Sequence, residues 1–220
     1  MLALIDYGAG NLTSVKKALA TIGADVVVPT EPGRMADAAG VIVPGVGHFG
    51  ATRALTPDWI DAILQRVGEG RPLLGICLGM QWLFEGSDEA PDCRGLGLLA
   101  GQCFRLGGVA LPPVRNASAD RRSVDEGGRP GRIKVPHVGW NSLDIRCDAP
   151  IAEGIASGAQ VYFTHSYVAP VTSDTVAVTE HGEPFAAIVQ HGQVVGVQFH
   201  PEKSGEIGLK VLRNFVDMTA

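Results

Sequence analysis

The chain has no excess of positive charge: 18 lysines and arginines stand against 23 acids, a formal net charge of −5. Nucleic acid is therefore not an expected partner. No apolar run is long enough to cross a bilayer, and the N-terminus has no charged segment ahead of an apolar core, so no membrane or secretory route is expected. Cysteine is sparse. Cys77, Cys93, Cys103 and Cys147 have neither the density nor the pairwise spacing of a disulfide framework or a zinc site, which fits reduced thiols in a cytoplasmic protein. Internal repeats are absent too. The remaining description is of a globule: 220 residues, 45% hydrophobic and 19% charged, enough for one large domain or two small ones and too apolar for disorder.

The first half alternates strand and helix. Leu2-Ala3-Leu4-Ile5 reads as a buried strand, and Leu12, Val15, Leu19 and Ile22 then fall on one helical face. Val26-Val27-Val28 and Val41-Ile42-Val43 are further strands. Thr56-Pro57-Asp58 supplies a cap, a first-turn proline and an acid, and so starts a helix with Ile60, Ile63, Leu64 and Val67 on its apolar side. Short apolar strands separated by helices predict an α/β fold with a mainly parallel sheet covered on both faces. Sites in such sheets form at the C-terminal strand ends. In the second half, Gln160 to Val168, Thr175 to Glu180, Phe185 to Gln190 and Val194 to Phe199 read as antiparallel strands added to that sheet. An amphipathic helix through Ile207, Leu209, Val211, Leu212 and Phe215 closes the chain. Residues 111–132 are polar, rich in Pro, Gly, Arg and Asp, and read as a mobile surface loop.

Cys77 lies in Gly75-Ile76-Cys77-Leu78-Gly79, after the strand-like Pro72-Leu73-Leu74 and before the helix-like Met80-Gln81-Trp82-Leu83-Phe84. Glycines on both sides of a nucleophile between strand and helix are the layout of a nucleophile elbow, and the motif taken alone equally fits a cysteine that is a small buried hydrophobe. A helix N-terminus favours thiolate over thiol. A cysteine nucleophile needs a base, and the base needs an orienting acid. His200-Pro201-Glu202, at the end of the last strand, offers both. A zinc site from Cys77, His200 and Glu202 is disfavoured, because an elbow exposes its cysteine and no fourth ligand is apparent.

Gly45-Val46-Gly47-His48-Phe49-Gly50 matches Gly-x-Gly-x-x-Gly after a strand, the dinucleotide fingerprint. We reject that reading: a poor helix opening follows, and the next strand ends at Cys77 and not at an acid. Acyl transfer needs N–H donors for a developing oxyanion. Leu78, just after the nucleophile, is one candidate. Val46, in the Pro44-Gly45-Val46-Gly47 turn at a neighbouring strand end, is the other.

Gly-x-Cys-x-Gly with a distant His-Pro-Glu resembles the class I (triad) glutamine amidotransferases. More narrowly, the chain is similar to the glutaminase subunits of imidazole glycerol phosphate synthases. That likeness rests on Ile5 to Leu12, Pro44 to Gly47, Gly75 to Gln81, Lys134 to Asn141, His165-Ser166-Tyr167 and Gln198 to Gly205. These segments run in family order over nearly the whole chain, which implies one amidotransferase domain over 1–220; only 111–132 is unmatched.

The resemblance implies that Cys77 attacks the glutamine side-chain amide, that His200 shuttles the proton and that Glu202 orients His200. It places Gly47, Gln81, His165, Ser166 and Tyr167 at the substrate, and Asn11, Tyr162 and Lys203 at a partner interface. It implies no cofactor and no metal. The partner would be a (β/α)8-barrel cyclase, in a heterodimer serving histidine biosynthesis, that receives the ammonia. It makes imidazole glycerol phosphate and aminoimidazole carboxamide ribonucleotide. Two alternatives stand beside this: a glutaminase subunit feeding purine or pyridoxal phosphate synthesis, and a free-standing γ-glutamyl hydrolase. The residues add one expectation of their own. Val46 is β-branched and resists the φ > 0 states a freely turning oxyanion loop uses. The Gly45–Val46 peptide is therefore expected to rest with its N–H turned away from the site.

Overall fold

The structure, a computed structural model, describes residues 1–107 and 133–220, so the expected loop at 111–132 lies outside the described residues. The first half contributes β1 (Leu2–Leu4), α1 (Leu12–Thr21), β2 (Val26–Val27), β3 (Gly40–Gly45), α2 (Pro57–Gly68), β4 (Leu73–Cys77) and α3 (Leu78–Leu83). Then come β5 (Gly86–Ser87), β6 (Gln102–Arg105), β7 (His137–Ser142), β8 (Asp144–Ile145), β9 (Gln160–His165) and β10 (Tyr167–Val168). The chain ends with β11 (Thr175–His181), β12 (Glu183–His191), β13 (Val194–Val197) and α4 (Gly205–Asp217).

Eight strands form the central sheet in the order β2-β1-β3-β4-β13-β12-β11-β8. The first five run parallel, and β12, β11 and β8 extend the sheet antiparallel. The alternation of strand side chains sorts the core into two layers. Leu2, Leu4, Ile42, Leu74 and Ile76 face one side, under Val15 and Leu19 of α1 and Val211, Leu212 and Phe215 of α4. Ala3, Ile5, Val41, Val43 and Leu73 face the other, against Ile63 of α2 and Met80 and Leu83 of α3. Fully burying each such Leu, Ile, Val or Phe contributes about 1.5–3 kcal/mol, so both faces must be covered.

Three expectations need correcting. Gln160 to Val168 is not one strand of the central sheet: it breaks at Ser166, β9 pairs with β7, and β10 pairs with β6. Its period-two burial suits any half-covered sheet, so the pattern could not name the partner strand. β13 is antiparallel only to β12; its other neighbour, β4, runs parallel to it. Finally, Thr56 precedes α2 in extended conformation, but its side chain makes no capping hydrogen bond, so Pro57 and Asp58 mark that start.

Candidate active site

The parallel pairing of β4 with β3 and β13 brings three strand ends to one edge: Gly45 opposite Cys77, and Val197 opposite Ile76. Cys77 turns the chain from β4 into α3 at φ 52°, ψ −107°, and is the one non-glycine residue with positive φ among the described residues. Such a conformation costs about 1–3 kcal/mol and persists only where its surroundings enforce it. Here they do. A Cβ on Gly79 would overlap the Val43 carbonyl, and a Cβ on Gly75 would lie 2.5 Å from the Gly79 carbonyl oxygen. The glycines around Cys77 let α3 sit directly on the sheet, and that close approach holds the turn.

Just beyond β13 the backbone carries His200, anchored by its N–H on the Tyr162 carbonyl at 2.9 Å and by its carbonyl, which accepts from Ser204 Oγ at 2.7 Å. His200 Nδ1 lies 2.9 Å from Glu202 Oε1, with the two side chains only 2% and 1% exposed. Burial alone pulls the imidazole pKa down. The Cys77 sulfur and the Glu202 carboxylate outweigh that and push it up to about 10. The contact with sulfur is electrostatic and not a closed hydrogen bond: His200 Nε2 has no partner within hydrogen-bond distance among the described residues. At neutral pH this arrangement favours an imidazolium held between carboxylate and sulfur.

Cys77 opens into a cavity of about 310 Å³. Val46, Gly47, Leu78, Gln81, His165, Ser166 and Tyr167 all line it, so the candidate oxyanion and substrate residues share one cavity with Cys77. Their states differ. The Val46 N–H is donated to the Ala9 carbonyl at 3.1 Å, away from the role of oxyanion donor. His165 is buried and bonded to His137 (Nε2 to Nδ1, 3.2 Å), and burial, then His137, His181 and His200, hold its pKa well below the ordinary range, so it is neutral. Gln81 Nε2 donates to the Tyr167 carbonyl at 2.8 Å, which fixes its amide.

Asn11, Tyr162 and Lys203 do not line the cavity. Asn11 caps α1, its Oδ1 accepting from the Ser14 N–H at 3.4 Å. Lys203 Nζ sits 5.8 Å above the Tyr162 ring, and Trp140 meets the same ring edge-on at 6.1 Å. Trp140 and Val138 are each 57% exposed on β7, an apolar surface next to Lys203 that sequence reasoning did not single out.

Two more residues were missed. Glu89 lines the cavity with one carboxylate oxygen accepting from the Phe49 N–H at 2.7 Å. Nothing in the sequence marks it, since it lies in a turn 12 residues after Cys77. Gln198 is wholly buried and donates from Nε2 to Cys77 Sγ at 3.6 Å. The signal in the sequence was its place at the head of the Gln198 to Gly205 segment, which begins just past the end of β13. Among the described residues no group of His, Cys, Asp or Glu is arranged to hold a metal ion. No helix among them is long and apolar enough to cross a membrane.

A nucleophile elbow beside a buried His–Glu pair, on a parallel sheet with an antiparallel extension, is the architecture of a class-I glutamine amidotransferase. The sequence model of the family "Glutamine amidotransferase class-I" matches residues 3–218. A solved structure described as a glutamine amidotransferase superposes with a TM-score of 0.68, covering 99% of this chain and 98% of its own, at 20% identity, which speaks to the fold alone. Imidazole glycerol phosphate synthase subunit HisH of Halobacterium salinarum is 42% identical, across 100% of this chain and 94% of its own. The HisH of Syntrophotalea carbinolica is 40% identical, across 99% and 100%. The chain belongs to the class-I glutamine amidotransferases, and within them to the HisH family of imidazole glycerol phosphate synthase subunits.

Proposed function

We propose that the chain hydrolyses glutamine at Cys77 and delivers the ammonia to a (β/α)8-barrel cyclase, as the glutaminase subunit of imidazole glycerol phosphate synthase in histidine biosynthesis. The observation that carries the chemistry is the strained Cys77 lining the cavity, with the buried His200–Glu202 pair near enough for the sulfur to raise the imidazole pKa. Glutamine enters with its side-chain amide at the sulfur. The Glu89 carboxylate suits its ammonium group, and the backbone around Ser166 and Tyr167 suits its carboxylate. In the imidazolium form of His200 the sulfur's proton already rests on Nε2; sulfur adds to the amide carbon, and the oxyanion is met by the N–H groups of Leu78 and Val46. The C–N bond breaks as His200 returns the proton to the departing nitrogen. Water, deprotonated by His200, then cleaves the thioester and frees glutamate.

The resting geometry gives this reading a control point. With the Val46 N–H spent on Ala9, the isolated chain lacks one oxyanion donor. Losing such a donor costs about 10²–10³ in rate. A partner loaded with its own substrate restores the rate by favouring the turned peptide. Partner docking is assigned to the face carrying Asn11, Tyr162 and Lys203, where exposed Trp140 and Val138 add apolar area.

The test is to mix the chain with the barrel cyclase of the same cell. Co-elution and glutaminase activity stimulated about a hundredfold by the cyclase substrate are expected. Full turnover by the chain alone would refute the control and favour a free-standing hydrolase. Cys77→Ala is expected to abolish glutamine-dependent synthesis and to leave ammonia-dependent synthesis by the complex intact; loss of both would contradict the division of labour.

A further inference from the structure

Behind Cys77, on the protein side of the sulfur, two carboxamides lie in series. Gln81 Nε2 donates to the Tyr167 carbonyl at 2.8 Å and to Gln198 Oε1 at 3.1 Å. Gln198 Nε2 then donates to Cys77 Sγ at 3.6 Å. The orientations are not arbitrary. A backbone carbonyl can only accept, so the Gln81 nitrogen must face Tyr167. Its second hydrogen needs an acceptor, so Gln198 must turn its oxygen toward Gln81. That leaves the Gln198 NH2 aimed at sulfur. Gln198 is 0% exposed, so its bonds to Gln81 and to sulfur are shielded from water.

We propose that Gln198 is a further member of the catalytic centre, a fixed hydrogen-bond donor that stabilises the Cys77 sulfur in its anionic form. A hydrogen bond to an ion is about twice as strong as one between neutral groups, so this contact strengthens when the thiol ionises. It acts twice in a turnover: when sulfur becomes a thiolate before attack, and when sulfur leaves again as the thioester C–S bond breaks. No proton passes through the amide. The sulfur proton goes to His200 and the glutamine nitrogen receives it. A carboxamide does not titrate, so the donor is present at every pH, whereas the field of His200 depends on its own protonation. The chain of donors also reaches the cavity, because Gln81 lines it.

This inference rests on Cys77 being the nucleophile, and the test separates the two. Cys147 is exposed and would react with alkylating agents, so a Cys147→Ser background is used. The rate of Cys77 alkylation by iodoacetamide is measured against pH in that background and in Gln198→Met, an apolar side chain of similar length. Losing one charge-assisted donor is expected to move the midpoint of the profile up by about one to two pH units. In the complex with the cyclase, kcat for glutamine is expected to fall at least about tenfold with KM little changed. An unmoved profile in a folded variant would overturn the proposal and leave Gln198 a packing residue. If Gln198→Met does not fold, the unsubstituted chain supplies the readout. The Gln198 side-chain amide protons, followed by NMR with glutamine nitrogen labelling, are expected to shift through the Cys77 titration and on its alkylation. Resonances indifferent to both would sink the proposal. Retention of glutaminase activity by Cys77→Ser would remove the nucleophile assignment itself.

Discussion

Replacing Glu202 by glutamine removes one charge and almost no volume. His200 and Glu202 are 2.9 Å apart with both side chains buried. At an effective dielectric near 20, unit charges at that separation interact by about 6 kcal/mol, an upper bound on what the substitution takes from the imidazolium. Part of it is recovered. The glutamine oxygen still accepts from Nδ1–H, and His200 sheds the unsupported charge by becoming neutral. The alternative orientation is worse, because an NH2 facing Nδ1 selects the tautomer with hydrogen on Nε2, which cannot take a proton from sulfur. We expect kcat for glutamine to fall about 10²–10⁴-fold, which at about 1.4 kcal/mol per tenfold is roughly 3–6 kcal/mol and does not exceed the bound. KM should change little, because Glu202 does not line the substrate cavity.

The pH dependence adds a second readout. The carboxylate helps hold the His200 pKa up at about 10. Without it the imidazolium is lost at lower pH, so the basic limb of the kcat profile moves toward neutrality. The assay is steady-state glutaminase activity of the complex with its cyclase, with ammonia-dependent synthesis as the control for an intact partner. A Glu202→Gln complex that kept activity within tenfold, with its basic limb in place, would refute the assigned role of the pair.

Other substitutions and conditions have definite expectations. Gly79→Ala drives a methyl group into the Val43 carbonyl under the elbow and should lower stability by about 3 kcal/mol or more in chemical denaturation; a loss under about 1 kcal/mol would mean that the elbow is looser than its geometry. His137, buried against Phe163 and His181, has its pKa pulled down to about 4 by burial and then by His181. Its neutral form is the folded one, so its contribution is full above about 6.5 and is lost as pH falls toward 4; acid unfolding should be blunted in that window by His137→Phe. Brief alkylation of the native chain should modify exposed Cys147 and spare Cys103, which is fully buried and whose thiol pKa burial pushes up; mass spectrometry of the digest reads both.

The parts of the fold legible in sequence are those set by local chemistry. Continuous apolar runs marked β1, β3 and β4, because a parallel strand covered on both faces needs apolar residues on both. α4 was readable from Ile207, Val211, Leu212 and Phe215 falling on one face. The misplacement of Gln160 to Val168 has the opposite origin. Its partners are β7 for one half and β6 for the other, and pairing across such distances leaves no periodic trace in either strand.

The site divides along the same line. Cys77 was visible because a strained turn under a close-packed helix needs glycine on both sides, and glycine is conspicuous. His200 and Glu202 were visible because a nucleophile demands a base and an acid. Gln198 and Glu89 carry no such demand in their identity; either would be an ordinary polar residue elsewhere. What distinguishes them is what they touch, Cys77 Sγ in one case and the Phe49 N–H at the cavity wall in the other. Val46 falls between. Its β-branch could be read as resistance to turning, but the Ala9 carbonyl that takes its N–H sits on the loop after β1, and only the fold brings the two together. The groups proposed to react are thus chosen by chemistry rare enough to show in one dimension, and the groups that hold them are chosen by position. A search by motif alone would recover Cys77, His200 and Glu202 with a chemical reason for each, and Gln198 only as the first residue of the Gln198 to Gly205 segment. Substituting Gln198 therefore asks whether a residue recognised only by its contact with sulfur can matter to the reaction as much as those recognised by type.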